Sequence, residues 1–140
     1  MFNQDFIMRQ VQQMTQVLNK ILTKVLNIKN QEVQLDTFTY LNQELLNVLG
    51  FDLEELLKVE SEEQLLSFLK QSSLNFENLN IFADILFEVA DHNFEKSEEH
   101  THSLQLFSKS LFIYQFLEKS ENIYSIDRNL KISKIKDVLS

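Results

Sequence analysis

Apolar residues recur near the start of the chain at alternating steps of four and three positions. The positions are Ile7, Val11, Met14, Leu18, Ile21, Val25 and Ile28. Because an α-helix completes one turn in about 3.6 residues, these side chains lie along one helix face. The pattern predicts a long N-terminal amphipathic helix over 1–30. Its apolar stripe needs a second surface to cover it, either in the same domain or on a symmetry mate.

The rest of the chain repeats the helical pattern in shorter segments. Gly50 supplies the backbone conformation that ends a helix predicted over 33–49. A wide apolar arc predicts a central helix over 76–94, and the next helix ends at a break over 120–122. Three later helices begin at residues that cap helix N-termini: Asp52, Ser61 and Ser125. No segment alternates polar and apolar residues as a strand does, so we predict an all-α fold.

The last predicted helix combines apolar and basic positions. Its apolar side is expected to consist of Ile126, Leu130, Ile132, Ile135 and Val138. Its basic side chains are expected to stay in solvent: Arg128, Lys131, Lys134 and Lys136. This assignment follows the general rule that charged side chains remain hydrated.

Composition limits the chain to one domain and removes several chemistries. The 140 residues are 44% apolar, which suits a single domain over 1–140. The chain has no cysteine, no proline and one glycine. The lack of cysteine excludes disulfides, thiolate catalysis and cysteine-based metal sites. The lack of glycine-rich segments excludes phosphate loops and dinucleotide-binding turns.

Charge is distributed unevenly along the chain. Residues 1–30 carry four bases and one acid, residues 31–127 five bases and nineteen acids, and residues 128–140 four bases and one acid. One explanation is that basic terminal helices pack beside the acidic centre, or beside that of a second copy; the alternative is chance. The net charge of −8 disfavours a nucleic-acid partner. Of the two arginines, Arg9 and Arg128, one is predicted to clamp an acidic side chain.

No segment of the sequence has the pattern of a signal peptide or a membrane span. Asp5 and Arg9 interrupt the apolar positions at the N-terminus. The most apolar stretch, 111–117, is far shorter than the roughly 20 residues that cross a bilayer. We therefore expect a cytoplasmic protein with no membrane partner.

The segment 84–117 has the spacing of two antiparallel helices that pack through small residues beside large aromatic ones. The residues are Phe87, Ala90, Phe94, Ser103, Phe107, Ser110 and Leu111. This pattern resembles a tetratricopeptide repeat, which implies an open stack of antiparallel helical hairpins. The sequence departs from the repeat at Asp91, Glu98 and Gln115, where the family prefers small residues, glycine and proline.

Two short runs resemble a family of uncharacterised bacterial proteins. The first is Asp5, Phe6, Ile7, Met8 and Arg9, and the second is Tyr124, Ser125, Ile126, Asp127 and Arg128. The resemblance covers nearly all of the chain and implies an all-helical, repeat-like fold. It brings no assigned activity.

The repeat resemblance places Ile85, Glu88, His92 and Glu95 on the face that lines the family's concave groove. Asp84, Glu88 and His92 also follow each other at four-residue steps, so they share one helix face. These five residues are the candidate ligand-binding set, and their acids favour a basic or amide-rich peptide. The alternative is a solvated acidic helix face with no ligand.

The sequence predicts a non-enzymatic helical-repeat protein that serves as a protein- or peptide-interaction module. Its expected homodimer forms through the stripe of the first helix, at Ile7, Val11, Met14, Leu18 and Ile21. No catalytic residue, cofactor or metal ligand is predicted.

Two alternatives stay open at this point. One is a small metal-dependent or acid–base enzyme that uses Glu88 and His92, and the other is a regulatory subunit that binds a DNA-associated partner. His100 and His102 are weak metal candidates, because residues two apart on a helix point about 200° away from each other.

Overall fold

The structure is a computed structural model that describes residues 2–31, 36–121 and 124–140. Within these ranges the chain forms α-helices and no strand, which confirms the all-α prediction. The helices are α1 (Phe2–Asn30), α2 (Thr37–Leu49), α3 (Leu53–Leu57), α4 (Glu62–Lys70), α5 (Leu79–Lys96), α6 (Thr101–Ser120) and α7 (Ile126–Leu139). Of these helices, none is both long and apolar enough to span a lipid bilayer.

The predicted helix ends are set by local hydrogen bonds. Gly50 has φ of 79°, a left-handed conformation that glycine adopts at little cost. Its amide donates to the carbonyl oxygens of Leu45 and Leu46 at 3.1 and 3.2 Å, which ends α2. The three predicted N-caps accept amide hydrogens as expected: Asp52 from Glu55 at 2.9 Å, Ser61 from Gln64 at 3.1 Å and Ser125 from Arg128 at 3.2 Å.

Three predicted boundaries differ from the structure, including the end of the fifth helix, which lies at Lys96 instead of 94. The second helix begins at Thr37, capped by Asp36, and the predicted start over 33–35 lies outside the described residues. The fifth helix begins three residues late, because a 3₁₀ turn, Phe76–Asn78, precedes it. The break predicted over 120–122 begins where α6 ends, and its last position also lies outside the described residues.

Helices α5 and α6 form an antiparallel pair. Ser110 of α6 donates a hydrogen bond to the carbonyl oxygen of Ala83 at 2.8 Å, near the start of α5. Further along α5, the ring of Phe94 meets that of the earlier α6 residue Phe107, with centroids 6.3 Å apart. Small residues at the contact let the two backbones approach, and the aromatic rings fill the space beside them.

Helix α1 runs parallel to α5. Near the start of α5, the Asn78 amide nitrogen donates to Thr15 Oγ1 at 2.8 Å. Near the end of α5, Lys29 Nζ lies 2.6 Å from Asp91 Oδ2. Four aliphatic side chains of α1 are buried in this contact region of the core: Leu18, Ile21, Val25 and Ile28.

Helix α7 also runs parallel to α5. Arg128 Nε donates to Asn80 Oδ1 at 3.0 Å, and six residues later Lys134 Nζ lies 2.9 Å from Asp91 Oδ1. Helix α7 therefore follows α5 from its first turn towards its last. The central position predicted for α5 by its wide apolar arc is confirmed, because α1, α2, α6 and α7 all meet it.

Candidate functional site

The acidic face of α5 carries three carboxylates that meet the C-terminal end of α1 and the length of α7. On the α1 side, Lys29 Nζ lies 2.8 Å from Glu88 Oε2 and 2.6 Å from Asp91 Oδ2. All three side chains are less than one-fifth exposed. The pair of contacts fixes the end of α1 to the second half of α5.

On the α7 side, the same face of α5 meets two more lysines. Lys131 Nζ lies 3.1 Å from Asp84 Oδ1, and Lys134 Nζ lies 2.9 Å from Asp91 Oδ1. The hydroxyl of Tyr114, which is fully buried in α6, donates to the same oxygen of Asp84. The carboxylate of Asp84 thus joins α5, α6 and α7.

These contacts explain the uneven charge of the sequence. In this structure the basic terminal helices pack beside the acidic centre of the same chain, as one of the two explanations predicted. The net charge of each segment of the sequence indicated that the terminal helices and the centre attract each other. The sequence did not indicate which lysines turn inward.

Burial and ion pairing shift the pKa values of the side chains on this face in opposite directions. Burial acts to raise the pKa of Asp91, but hydrogen bonds from Lys29 and Lys134 outweigh it and hold the pKa below its usual value. Burial acts to lower the pKa of Lys29, and the carboxylates of Asp91 and Glu88 raise it above 10.5. Burial also acts to lower the pKa of Lys131, but the carboxylate of Asp84 raises it and the net shift is upward. Lys29, Lys131 and Asp91 therefore stay charged over the neutral range.

The predicted ligand-binding set does not line an open groove. Ile85 is fully buried in the core, and His92 is buried against α2, where its Nδ1 lies 2.9 Å from Thr37 Oγ1. Asp84 and Glu88 are mostly covered by lysines, and only Glu95 is exposed. The interpretation as a solvated acidic face is also wrong. Both fail because α5 is surrounded by other helices.

His92 is a buried imidazole with one nitrogen unpaired. Its Nε2 has no hydrogen-bond partner in the part of the chain that the structure describes. Burial lowers the pKa of His92, and the nearby charges of Lys96 and Lys29 add to this effect. The ring is therefore neutral at pH 7. Its contact with Thr37 was not predicted, because the sequence gives no register between α5 and α2.

The enzyme alternative needs Glu88 and His92 to be accessible to a substrate or a metal. The structure instead pairs Glu88 with Lys29 and buries His92 beside Thr37. Across the described ranges, no group of three or more histidine or acidic side chains is placed to hold a metal ion. No contact of these two residues favours the enzyme alternative.

The other two histidines lie at the start of α6 and stack on aromatic rings. The ring of His100 lies 4.0 Å from that of Phe94, and the ring of His102 lies 5.0 Å from that of Phe38. The two imidazoles therefore pack against different helices, as their two-residue spacing suggests. These stacking contacts give both histidines a role in packing.

Arg128 takes the clamping role predicted for one of the two arginines. Its Nε donates to Asn80 at 3.0 Å, and its two terminal nitrogens lie 3.4 Å from carboxylate oxygens of Glu118 and Glu121. The guanidinium bridges two different acids and does not bind one of them bidentately. Arg9, the other candidate, is exposed.

The predicted orientation of α7 is wrong in its first half. Arg128 is buried and Lys131 is turned towards α5, although both were expected in solvent. Ile126 and Leu130 were expected on the buried apolar side, but their side chains are 69 and 66% exposed. Ion pairs with α5 and α6 decide the orientation, and a single-helix pattern does not contain that information.

The predicted self-association stripe is divided between core and surface. Leu18 and Ile21 are buried in the chain's own core, so they are unavailable to a second copy. Val11 and Met14 are half-buried. Ile7 is 53% exposed and remains available. The stripe thus changes from an exposed surface to a buried one along α1.

Two further apolar side chains beside Ile7 are exposed and were missed. Phe6 and Met8 are each 60% exposed, and every side chain over 4–10 is exposed. These two residues lie off the regular stripe, so the periodicity did not select them. A cavity of about 540 Å³ follows on the same helix, between Met14 and Leu74. Residues 4–10 are therefore the longest run of exposed side chains in the described helices.

The chain was compared with known protein families, curated proteins and solved structures. No family model, no curated protein and no solved structure matches it.

Proposed function

We propose that the chain is a non-enzymatic helical-repeat module that associates with a second copy through the start of α1. The observation that carries this proposal is the exposure of Phe6, Ile7 and Met8 at 60, 53 and 60%. Large apolar side chains at consecutive exposed positions are uncommon on a monomer, and such a patch typically marks an interaction site.

The geometry of the three residues limits the form of the partner surface. Consecutive side chains on a helix point about 100° apart, so Phe6, Ile7 and Met8 cover more than half of the circumference. A flat surface cannot bury all three. A second copy could bury all three together if its own α1 covers one side of the helix and the cavity beside its α1 receives the remaining side chains.

The stability of the first two turns supports the same partner. Most helical stability in proteins comes from the packing of an apolar face, and the side chains over 4–10 are all exposed. Helix pairing between two copies supplies the missing packing. The cavity beside Met14 and Leu74 continues the surface and offers room for side chains of the other copy.

The helix arrangement supports a tetratricopeptide-like interpretation of the repeat. The hairpin α5–α6 packs through Ala83 and Ser110, and α1 and α7 both run parallel to α5. In stacked helical hairpins, the first helices of successive units run in the same direction. We therefore propose that α1–α2 and α5–α6 are two hairpins of one degenerate stack, followed by α7.

Sedimentation velocity over a hundredfold range of protein concentration tests the association. We expect the wild-type chain to dimerise and a Phe6→Ser/Ile7→Ser variant to remain a monomer. Leu46→Ser is the matched control, because Leu46 is 52% exposed but lies on α2, and this variant should dimerise as the wild type does.

Two results would contradict the proposal. A wild-type chain that is monomeric at every concentration has no self-association to explain. A Phe6→Ser/Ile7→Ser variant that dimerises with wild-type affinity shows that another surface is responsible. Circular dichroism of each variant checks that the helical content is retained.

A further inference from the structure

Helix α1 extends past the rest of the domain at its N-terminal end. Every side chain over 4–10 is exposed, and Val11 is the first one after them that is half-buried. There the domain edge begins, because Asn78 Nδ2 donates to the carbonyl oxygen of Val11 at 3.3 Å and to Thr15 Oγ1 at 2.8 Å. Residues 4–10 are called the arm below. At a rise of about 1.5 Å per residue, the arm is about 10 Å long.

The apolar stripe of α1 continues from the arm into the core on one helix face. Ile7 lies on the arm, whereas Leu18, Ile21 and Val25 of the same stripe are buried by the chain's own core. A helix that packs on Ile7 is therefore in line with the elements that cover Leu18. A second α1 that runs parallel to the first meets those elements where the arm ends. A second α1 that runs antiparallel leads away from them.

The two charged residues of the arm lie on the side opposite to Ile7. Asp5 and Arg9 are each two positions from Ile7, so their side chains point about 160° away from it on a helix. Both side chains are exposed. Helix pairing through Ile7 leaves both charges in water and avoids the cost of burying them.

The charge of the domain also favours the antiparallel direction. Residues 31–127 carry five bases and nineteen acids. Parallel arms would place the acidic centres of the two copies side by side, where they repel each other. Antiparallel arms place these centres at opposite ends of the pair. The arm length of about 10 Å is about one Debye length at a salt concentration of about 0.1 M, so the remaining repulsion is largely screened.

We propose that two copies pair antiparallel through their arms, about a two-fold axis at Ile7. This pairing rests on the proposed self-association and adds its geometry. With the axis at Ile7 the two arms overlap completely, and Gln4 of each copy faces Gln10 of the other. An axis nearer the domain would lay the second copy on Val11, whose backbone already meets Asn78. An axis nearer the N-terminus would leave the last residues of the arm uncovered.

The same axis gives each exposed apolar side chain of the arm a partner. Ile7 meets Ile7 of the second copy. Phe6 and Met8 point about 100° to either side of Ile7, and a two-fold axis between antiparallel helices brings the two Phe6 side chains to one flank and the two Met8 side chains to the other. Gln10 lies one turn after Phe6 on the same flank, and it lines the cavity of about 540 Å³. Helix side chains lean towards the N-terminus, so each Phe6 leans towards the second copy's cavity.

Cysteine cross-linking tests the direction and the register of this pairing. The chain has no cysteine, so an engineered thiol is the only one in its chain. We expect Ile7→Cys to form a disulfide-linked dimer under mild oxidation, because its two thiols meet at the axis. An equimolar mixture of Gln4→Cys and Gln10→Cys should cross-link at least about tenfold faster than either variant alone. Arg9→Cys is the matched control, and it should link only by random collision.

Sedimentation of the wild-type chain distinguishes failure of this geometry from failure of the self-association. Cross-linking is measured at a concentration at which the wild type is dimeric. If Gln4→Cys and Gln10→Cys each link to themselves as fast as their mixture does, the arms run parallel; the antiparallel pairing is overturned and the self-association stands. If Arg9→Cys links as fast as Ile7→Cys, the contact lies on another face, with the same consequence. A wild type that is monomeric at every concentration overturns both.

Discussion

The two terminal helices lie on the same central helix in the same direction, but they are attached by different means. Helix α1 contributes four buried aliphatic side chains and the ion pairs of Lys29. Helix α7 contributes two buried aliphatic side chains and three cations that reach α5. The comparison shows that α5 can hold a neighbouring helix either with a larger share of apolar contacts or with a larger share of charged ones.

The largest effect is expected where the apolar attachment of α1 is broken. Leu18→Ala removes a fully buried side chain and should lower the free energy of unfolding by about 2–5 kcal/mol, measured by urea denaturation. Leu26→Ala on the same helix is the matched control. Because Leu26 is partly exposed, the loss there should stay below about 1 kcal/mol. Equal losses in both variants would show that the buried stripe does not carry the attachment.

The carboxylate shared by both terminal helices should give a smaller effect. Asp91→Asn keeps the shape of the side chain but leaves Lys29 and Lys134 without its charge, so we expect a loss of about 1–3 kcal/mol. The exposed Glu95→Gln on the same helix should change the free energy of unfolding by no more than about 0.5 kcal/mol. If Asp91→Asn changes the free energy of unfolding as little as Glu95→Gln does, the ion pairs contribute nothing measurable and apolar contacts hold the helices together.

The pH dependence of stability sharpens the comparison further. The pKa of Asp91 is lowered in the folded chain, so its stabilisation is present above about 3.8 and is lost as the pH falls through the folded value. The pKa values of Lys29 and Lys131 are raised, so their stabilisation is present below 10.5 and is lost above it. Urea denaturation at a series of pH values should show both losses. Asp91→Asn should reduce the acid loss, and an unchanged acid profile would contradict the assignment.

The smallest expected effect comes from His92. Its pKa is lowered by burial, so below pH 6.5 the unfolded chain binds a proton that the folded chain does not. Stability should therefore decline modestly as the pH falls from 7 towards 5, and His92→Gln should flatten this slope. His102→Gln, at an exposed position, is the control and should retain it. If the stability of His92→Gln declines with falling pH as steeply as that of the wild type, a group other than His92 is responsible for the decline.

The difference between α1 and α7 also explains which features the sequence predicts. The apolar stripe of α1 correctly placed Leu18 and Ile21 on one face, and the caps at Asp52 and Gly50 lay where local chemistry required them. These features depend on the helix alone. The inward turn of Lys131 depends on Asp84, which lies far away in the chain, so no local pattern contains it.

The burial of the candidate groove residues could not be predicted for the same reason. The register of a repeat places Ile85 and His92 on a concave face, but that face exists only if no other helix covers it. The positions of α1, α2 and α7 around α5 are tertiary information. The repeat-like stack, the bacterial family, the cytoplasmic location and the lack of nucleic-acid or cofactor partners stay predictions.

The common direction of α1, α5 and α7 has an electrostatic consequence for the whole molecule. The peptide dipoles of a helix sum to a partial positive charge at its N-terminus and a partial negative charge at its C-terminus. In three parallel helices these terminal charges have the same sign at each end, and the antiparallel α6 cancels only part of them. The last turns carry Lys29, Lys96 and Lys136, whose ammonium groups offset the accumulated negative charge. At the N-terminal ends, Asp5 and Asp127 lie in the first turns of α1 and α7, where their carboxylates offset the positive charge in the same way.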